Sequence, residues 1–258
     1  AINLNFLGTG GIIEGNLGTA NVNVNLDAPY IFDGNDDMFT VADHNDFDLS
    51  ATLTLSAWIK PVGTGDTWQM VATKNGVGGD ADRPYAMWYR NSDKRIYLYV
   101  GDDSGSSSLG TDSNAVVANA WNHVAVTFDN SSNTGKIYVN GVLVKTGTSL
   151  TTSPYNSSKS FSIGAINDND GGSATDEFVG NIVDVKIFSD VLTDAEVQEI
   201  SSEINYDISR GSIGNLVAWY KLMGAVADSS GNSHNLTAVG SPAQDYDAFS
   251  VNVQDNST

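Results

Sequence analysis

Apolar and polar residues alternate with period two through most of the middle of the chain. The segments LTLSAWIK (53–60), WQMVATK (68–74), YAMWYR (85–90), RIYLYV (95–100) and WNHVAVTF (121–128) each read as a half-buried β-strand, since successive side chains of a strand point to opposite faces. In GKIYVNGVLVKT the pair Asn140-Gly141 lies between two β-branched runs, and this pair supplies the positive φ angles of a two-residue hairpin turn. FSIG (161–164) and VGNIVDVKIF (179–188) complete the central strands, and NVNVNL (21–26) predicts a further edge strand or arm near the N-terminus.

Helical spacing is convincing at one place. In SDVLTDAEVQEISSEI, Thr193 stands three residues before Glu196 as a capping box, and Val197, Ile200 and Ile204 fall on one face. Many strands, frequent turn residues and one short helix near the end predict an all-β fold of two packed antiparallel sheets rather than a βαβ array. A length of 258 residues suits one large sandwich.

Three stretches in order, FDGNDDMFTV with LTLSAWIKP, then WNHVAVTFDNSSNTGKIYVNGVLV, then FVGNIVDVKIFSDVLTDAEVQEI, resemble the laminin-G-like, concanavalin A-like jelly-roll domains. The resemblance spans residues 30–204 and implies a jelly-roll β-sandwich that binds glycans or protein surfaces, often with one structural calcium, without implying an enzyme. Residues 1–29 then form an N-terminal edge strand or arm. The tail GNLVAWYKLMGAVADSSGNSHNLTAVG (214–240) resembles the segment with which many such domains begin. Residues 205–258 are therefore expected either to fold back and complete the sandwich, as in a circular permutation, or to be donated to a neighbour in a homo-oligomer.

Charge narrows the partners. A net charge of −19 with 12 basic residues repels phosphate backbones and anionic lipid heads, which excludes nucleic acid and a membrane surface as natural partners. No stretch approaches the roughly 18 apolar residues of a membrane span, and the N-terminus lacks the pattern of a signal peptide. The absence of cysteine removes disulfides and thiolate metal sites.

The candidate chemistry is sparse. Glycosidases of this fold carry two carboxylates on alternate positions of one strand, about 5 Å apart, and no such run is present. Glu196, Glu199 and Glu203 read as a solvated helix face. His44, His123 and His234 are scattered, and His123 reads as a structural histidine. Arg83, Arg90 and Arg95 beside several tyrosines leave a polysaccharide lyase as a distant alternative. Residues 33–48 hold six aspartates and no lysine or arginine, and NDNDGGSATDE (167–177) forms a second acidic loop. Calcium takes six to eight oxygens, which names Asp36, Asp37, Asp168 and Asp170 as candidate ligands, with Asp33-Gly34 as a turn. The second loop fits an EF-hand at Asp168, Asp170, Gly171 and Glu177 but begins on Ile166. In domains of the resembled type the strand after Gly-x-Ile usually carries an aspartate that helps hold calcium; here that position is Val183, with Asp184 one residue on.

For a sugar ligand the candidates are Tyr97 and Tyr99, on one face of one strand, and Trp88 on the strand before it, because aromatic rings stack on sugar faces. Two functions remain: a non-catalytic lectin-like or adhesion module that binds a glycan, with or without calcium, and a virion surface protein such as a bacteriophage capsid decoration or fibre component. Either belongs outside cells, on a cell surface or on a virion.

Overall fold

The computed structural model describes residues 11–17, 20–26, 28–75, 83–102, 105–168, 173–210 and 213–245. With strands numbered in chain order, one sheet runs from edge to edge β12 (Val142–Gly147), β11 (Thr134–Val139), β10 (Asn122–Asp129), β5 (Thr52–Pro61), β16 (Val179–Phe188), β3 (Tyr30–Asp33) and β19 (Ala243–Gln244), with β17 (Leu216–Tyr220) also paired to β16. The other runs β18 (Thr237–Val239), β4 (Met38–Val41), β13 (Phe161–Ile163), β6 (Trp68–Lys74), β7 (Tyr85–Arg90), β8 (Arg95–Gly101) and β9 (Ser106–Gly110). Two hairpins stand apart from these sheets, β1 (Gly11–Leu17) with β2 (Ala20–Leu26) and β14 (Ile166–Asp168) with β15 (Ser173–Thr175).

Alternation decides which side chains meet between the sheets. Leu53, Leu55, Ala57 and Ile59 of β5 and Val124, Val126 and Phe128 of β10 form one buried cluster with Tyr85, Met87 and Tyr89 of β7 and Ile96, Leu98 and Val100 of β8. Fully burying an aliphatic or phenyl side chain contributes roughly 1.5–3 kcal/mol, so a one-residue slip in any of these strands would cost the whole set. The Asn140-Gly141 turn joins β11 to β12 with φ of 50° and 76°, as its sequence requires.

The outer faces differ. On the sheet containing β5, Ala125, Tyr138 and Phe188 are covered by Val197 and Ile200 of the helix α1 (Asp194–Ile200) and by Leu192, Tyr206 and Ile213. The capping box at Thr193 and Glu196 is formed, but the helix stops at Ile200. The Ser201 N–H turns back to the carbonyls of Glu199 and Val197, and Ile204 packs on the main core from beyond the helix end. The outer face of the sheet containing β7 carries a separate group of aromatic side chains, which places the candidate site there.

The C-terminal segment is tied to its own chain. β17 pairs antiparallel with β16, Val185 opposite Tyr220 and Lys186 opposite Trp219. Asp228 holds the following loop by accepting the N–H groups of Trp219 at 3.0 Å, Ser230 at 2.8 Å and His234 at 3.0 Å. Burial alone would raise the Asp228 carboxyl, but these donors outweigh it and hold its pKa below the ordinary value. A depressed folded-state pKa stabilises fully above the unfolded value, near 4, and that stability is lost as pH falls through the folded pKa. The D228N substitution is therefore expected to cost about 2 kcal/mol at pH 7 by urea denaturation, with the gap to the unsubstituted protein narrowing as pH falls below about 4. A gap independent of pH would contradict this assignment.

Candidate functional site

The alternation that sends Tyr85, Met87 and Tyr89 inward sends Trp88 outward, and the same rule on β8 sends Tyr97 and Tyr99 out beside it. Trp88 and Tyr97 are direct cross-strand partners, and Tyr99 lies opposite Ala86. All three of these residues line one groove of about 390 Å3, within the roughly 300–1,000 Å3 usual for small-ligand sites. Trp68, Arg83, Ser106, Ser108 and Asp176 are the other described residues that line it.

The rings do not share one role. Trp88 is 7% exposed and Tyr99 9%, so these two form the floor, whereas Trp68 is 36% exposed and stands at the rim. Trp68 packs edge-on against Tyr97 at 4.9 Å between centroids and against Trp88 at 5.9 Å. Trp68 is the member that sequence reasoning missed. β6 is bulged between Met70 and Ala72, so which of its residues sit beside Trp88 depends on a register that alternation alone does not give.

Three of the chain's four arginines surround these rings. The Arg83 guanidinium lies 5.2 Å from the Trp88 ring, and that of Arg90 lies 5.1 Å from Trp68 and 5.0 Å from Tyr97. Arg90 and Arg95 oppose each other across the β7–β8 pair, a like-charge contact that Asp93 relieves. Asp93 accepts from Arg90 Nε at 2.7 Å and lies 2.9 Å from Arg95 Nε. The hydrogen bond from Arg90 holds the Asp93 carboxyl below its usual range and raises the guanidinium pKa. Gly110 faces Tyr97 across β8 and β9, and any Cβ there would run into the Tyr97 ring, so the glycine lets the ring lie flat over the edge strand. Rings, guanidinium, hydroxyls and one carboxylate together suit stacking plus hydrogen bonding.

The acidic positions sort differently. Asp33 accepts from the Asn35 N–H at 2.9 Å and Gly34 has φ of 78°, the turn expected there. Oxygens of Asp33, Asp36 and Asp37 come within 4.8 Å of one another. Asp37 is buried, with Oδ1 accepting from the Ser241 N–H at 3.0 Å and Oδ2 from the Asp33 N–H at 3.3 Å. Both its oxygens thus serve the backbone, and burial holds its carboxyl above the ordinary range. Asp168 ends β14, but its side chain and the whole of Asp170 lie outside the described residues.

Asp184 does not fit the calcium role that the resemblance implies for this strand. It lies on the face opposite Val183, as alternation requires, since Val183 and Val185 enter the core while Asp184 and Lys186 point the other way; the irregularity of β16 is a register change between Val183 and Lys186, with φ of 55° at Asp184 and the adjacent Ile182 and Val183 both in the core. Its carboxylate is buried and bonded to Lys186, to Trp219 Nε1 at 2.7 Å and to the Asn205 N–H at 2.8 Å, so no oxygen is left facing solvent chemistry.

Two histidines are not scattered. His44 and His234 have ring centroids 4.6 Å apart, brought together by a fold that no local spacing predicts. His123 is buried with Nε2 2.8 Å from Ser56 Oγ, and burial pushes its pKa down to about 3, so it stays neutral.

Comparison with known proteins agrees with this architecture. No curated protein sequence matches the chain. Among solved structures, a candidate carbohydrate binding protein from Bacteroides ovatus superposes with a TM-score of 0.59 at 19% identity over 88% of this chain; the chain spans 64% of that protein's length. A heptameric SAP-like pentraxin from Limulus polyphemus gives 0.54 at 17% identity, covering 83% of this chain and 94% of the pentraxin. The Ruminococcus gnavus IT-sialidase CBM40 bound to α2,3-sialyllactose gives 0.50 at 16% identity over 69% of this chain and all of that one. At such identities the likeness speaks for the fold alone. The family described as the Concanavalin A-like lectin/glucanases superfamily matches residues 33–198, the stretch that supplies most strands of both stacked sheets and every described lining residue of the aromatic groove. The chain therefore belongs to the concanavalin A-like lectin/glucanase superfamily, in its laminin-G-like branch.

Proposed function

We propose that the protein is a non-catalytic carbohydrate-binding module whose ligand site is the groove on the outer face of β6–β9. The observation that carries this reading is the clustering of Trp68, Trp88, Tyr97 and Tyr99 around one open groove with Arg83, Ser106, Ser108 and Asp176 at its walls. A sugar ring would stack on Trp68 and Tyr97, the accessible pair, while the wall groups hydrogen-bond its hydroxyls. Among the described lining residues Asp176 is the one carboxylate, which does not make the acid and nucleophile pair of a glycosidase. The sialyllactose-bound Ruminococcus module and the candidate carbohydrate-binding protein of Bacteroides support the reading by analogy of fold. A module of this kind acts outside cells or on a surface. In this reading the acidic turn at Asp33–Asp37 does not touch the sugar, since it is not among the described groove residues.

A glycan array followed by titration calorimetry tests this. Binding to at least one glycan is expected, and the titration is run with and without added calcium. The W68A substitution, at an exposed rim position, should weaken it at least tenfold, about 1.4 kcal/mol, with the circular dichroism spectrum unchanged. Silence across the array, or a W68A variant that binds as well as the parent, would remove the proposal; release of reducing sugar from a polysaccharide panel would remove its non-catalytic part.

A further inference from the structure

The fold assembles a mixed nitrogen and oxygen constellation from residues that are not among those lining the groove. Asp46 sits in a single helical turn, Asn45–Phe47, in the connection between β4 and β5, and His234 lies in the connection between β17 and β18. His234 Nε2 lies 2.8 Å from Asp46 Oδ2, and His44 Nδ1 lies 3.4 Å from the same oxygen. One ligand atom from each of the three residues falls within 4.8 Å of the others.

We propose that His44, Asp46 and His234 form a binding site for a divalent d-block cation of the zinc class. Zinc bonds imidazole nitrogen and carboxylate oxygen at about 2.0–2.2 Å in tetrahedral geometry, which sets the ligand-to-ligand edge at about 3.3 Å. The two measured edges of 2.8 and 3.4 Å bracket that value. Three protein ligands leave the fourth position to water, and two imidazoles select zinc, cobalt or nickel over calcium and magnesium, which take oxygen.

The site is built from its surroundings. The His234 backbone is pinned at both ends, its N–H donating to Asp228 Oδ2 at 3.0 Å and its carbonyl accepting from Tyr220 Oη at 2.8 Å. Its ring meets Phe47 edge-on at 5.1 Å, and Phe47 stacks on Phe161 at 5.1 Å. These contacts fix the imidazole as the outer partners of metal ligands do. His44 is exposed and accepts the Asp46 N–H at Nδ1, 3.2 Å away, so that lone pair already faces Asp46, and the cation would replace this hydrogen bond and the one between His234 Nε2 and Asp46 Oδ2. Lys74, the cation beneath this turn, is paired with Asp43 and Asp48 rather than with Asp46. A net charge of −19 favours cation approach. A bound ion would staple the connection at Asp46 to the C-terminal loop at His234, 188 residues away in sequence.

The sequence makes the test clean, because the only other histidine, His123, is buried and bonded to Ser56, and cysteine is absent. Tag-free protein, stripped with chelator and dialysed, is titrated with zinc chloride by calorimetry at pH 7.5. One zinc per chain is expected, with a higher melting temperature and a visible d–d band when cobalt replaces zinc. H44A, at an exposed position, and D46N should each lower zinc affinity at least tenfold, the scale on which even outer partners matter. Proton NMR should shift the ring signals of His44 and His234 and leave His123 unmoved. Absence of zinc binding in the parent, or full affinity retained in H44A, would overturn the proposal.

Discussion

Replacing Gly180 by alanine is expected to destabilise the protein by about 3–5 kcal/mol. Gly180 opens the Gly-x-Ile run of β16 and has φ of 131°, a region that side chains with a Cβ rarely enter. It also lies opposite Pro61 of β5, and a Cβ there would drive into the carbonyl oxygen of Lys60. Strain of roughly 1–3 kcal/mol and overpacking of similar size add, because the colliding atom is backbone in a neighbouring central strand and cannot swing aside. Against a total of roughly 5–15 kcal/mol that is a large share. Gly214, with nothing within 4 Å of an added Cβ, supplies the control, and G214A should leave the urea midpoint within about 0.5 kcal/mol of the parent. A G180A loss below about 1 kcal/mol would mean that β16 and β5 can separate locally.

The same glycine explains why the resemblance could be read from so few residues. What alternation and turn chemistry determine locally was legible: the strands, the Asn140-Gly141 turn, the capping box at Thr193, and the common outward face of Trp88, Tyr97 and Tyr99. What depends on register across a bulge was not. Trp68 reaches the groove only because β6 slips between Met70 and Ala72, and the adjacent Ile182 and Val183 both enter the core where β16 is irregular. What depends on closure of the whole chain was invisible to spacing. Asp46 and His234 meet because the C-terminal segment pairs with β16 and its loop is then held by Asp228, so the pair looks scattered until the sandwich is complete.

Asp184 also gives the second large effect. The carboxylate and the Lys186 ammonium are both fully inside the protein and paired, with the ammonium 4.8 Å from the Trp219 ring. Burial acts on both partners, holding the Asp184 carboxyl above its ordinary range and the Lys186 ammonium below its own, while their mutual attraction opposes each shift. Removing one member is therefore much worse than removing both. K186M should cost about 3–5 kcal/mol at pH 7, because it leaves a carboxylate in an apolar place with only the Trp219 and Asn205 donors. The sign of the pH dependence follows. Without the lysine the folded-state pKa of Asp184 lies further above its unfolded value, so the folded protein binds the extra proton between the two, and K186M should gain stability relative to the parent as pH is lowered from 8 towards 5. The double variant D184N and K186M keeps an acceptor for Trp219 Nε1 and buries no charge, so most of the loss should return. Urea midpoints of the parent, K186M and the double variant at pH 8 and pH 5 decide the matter. If the double variant is no more stable than K186M, the pair owes its place to packing of the methylene stem against Trp219 rather than to charge.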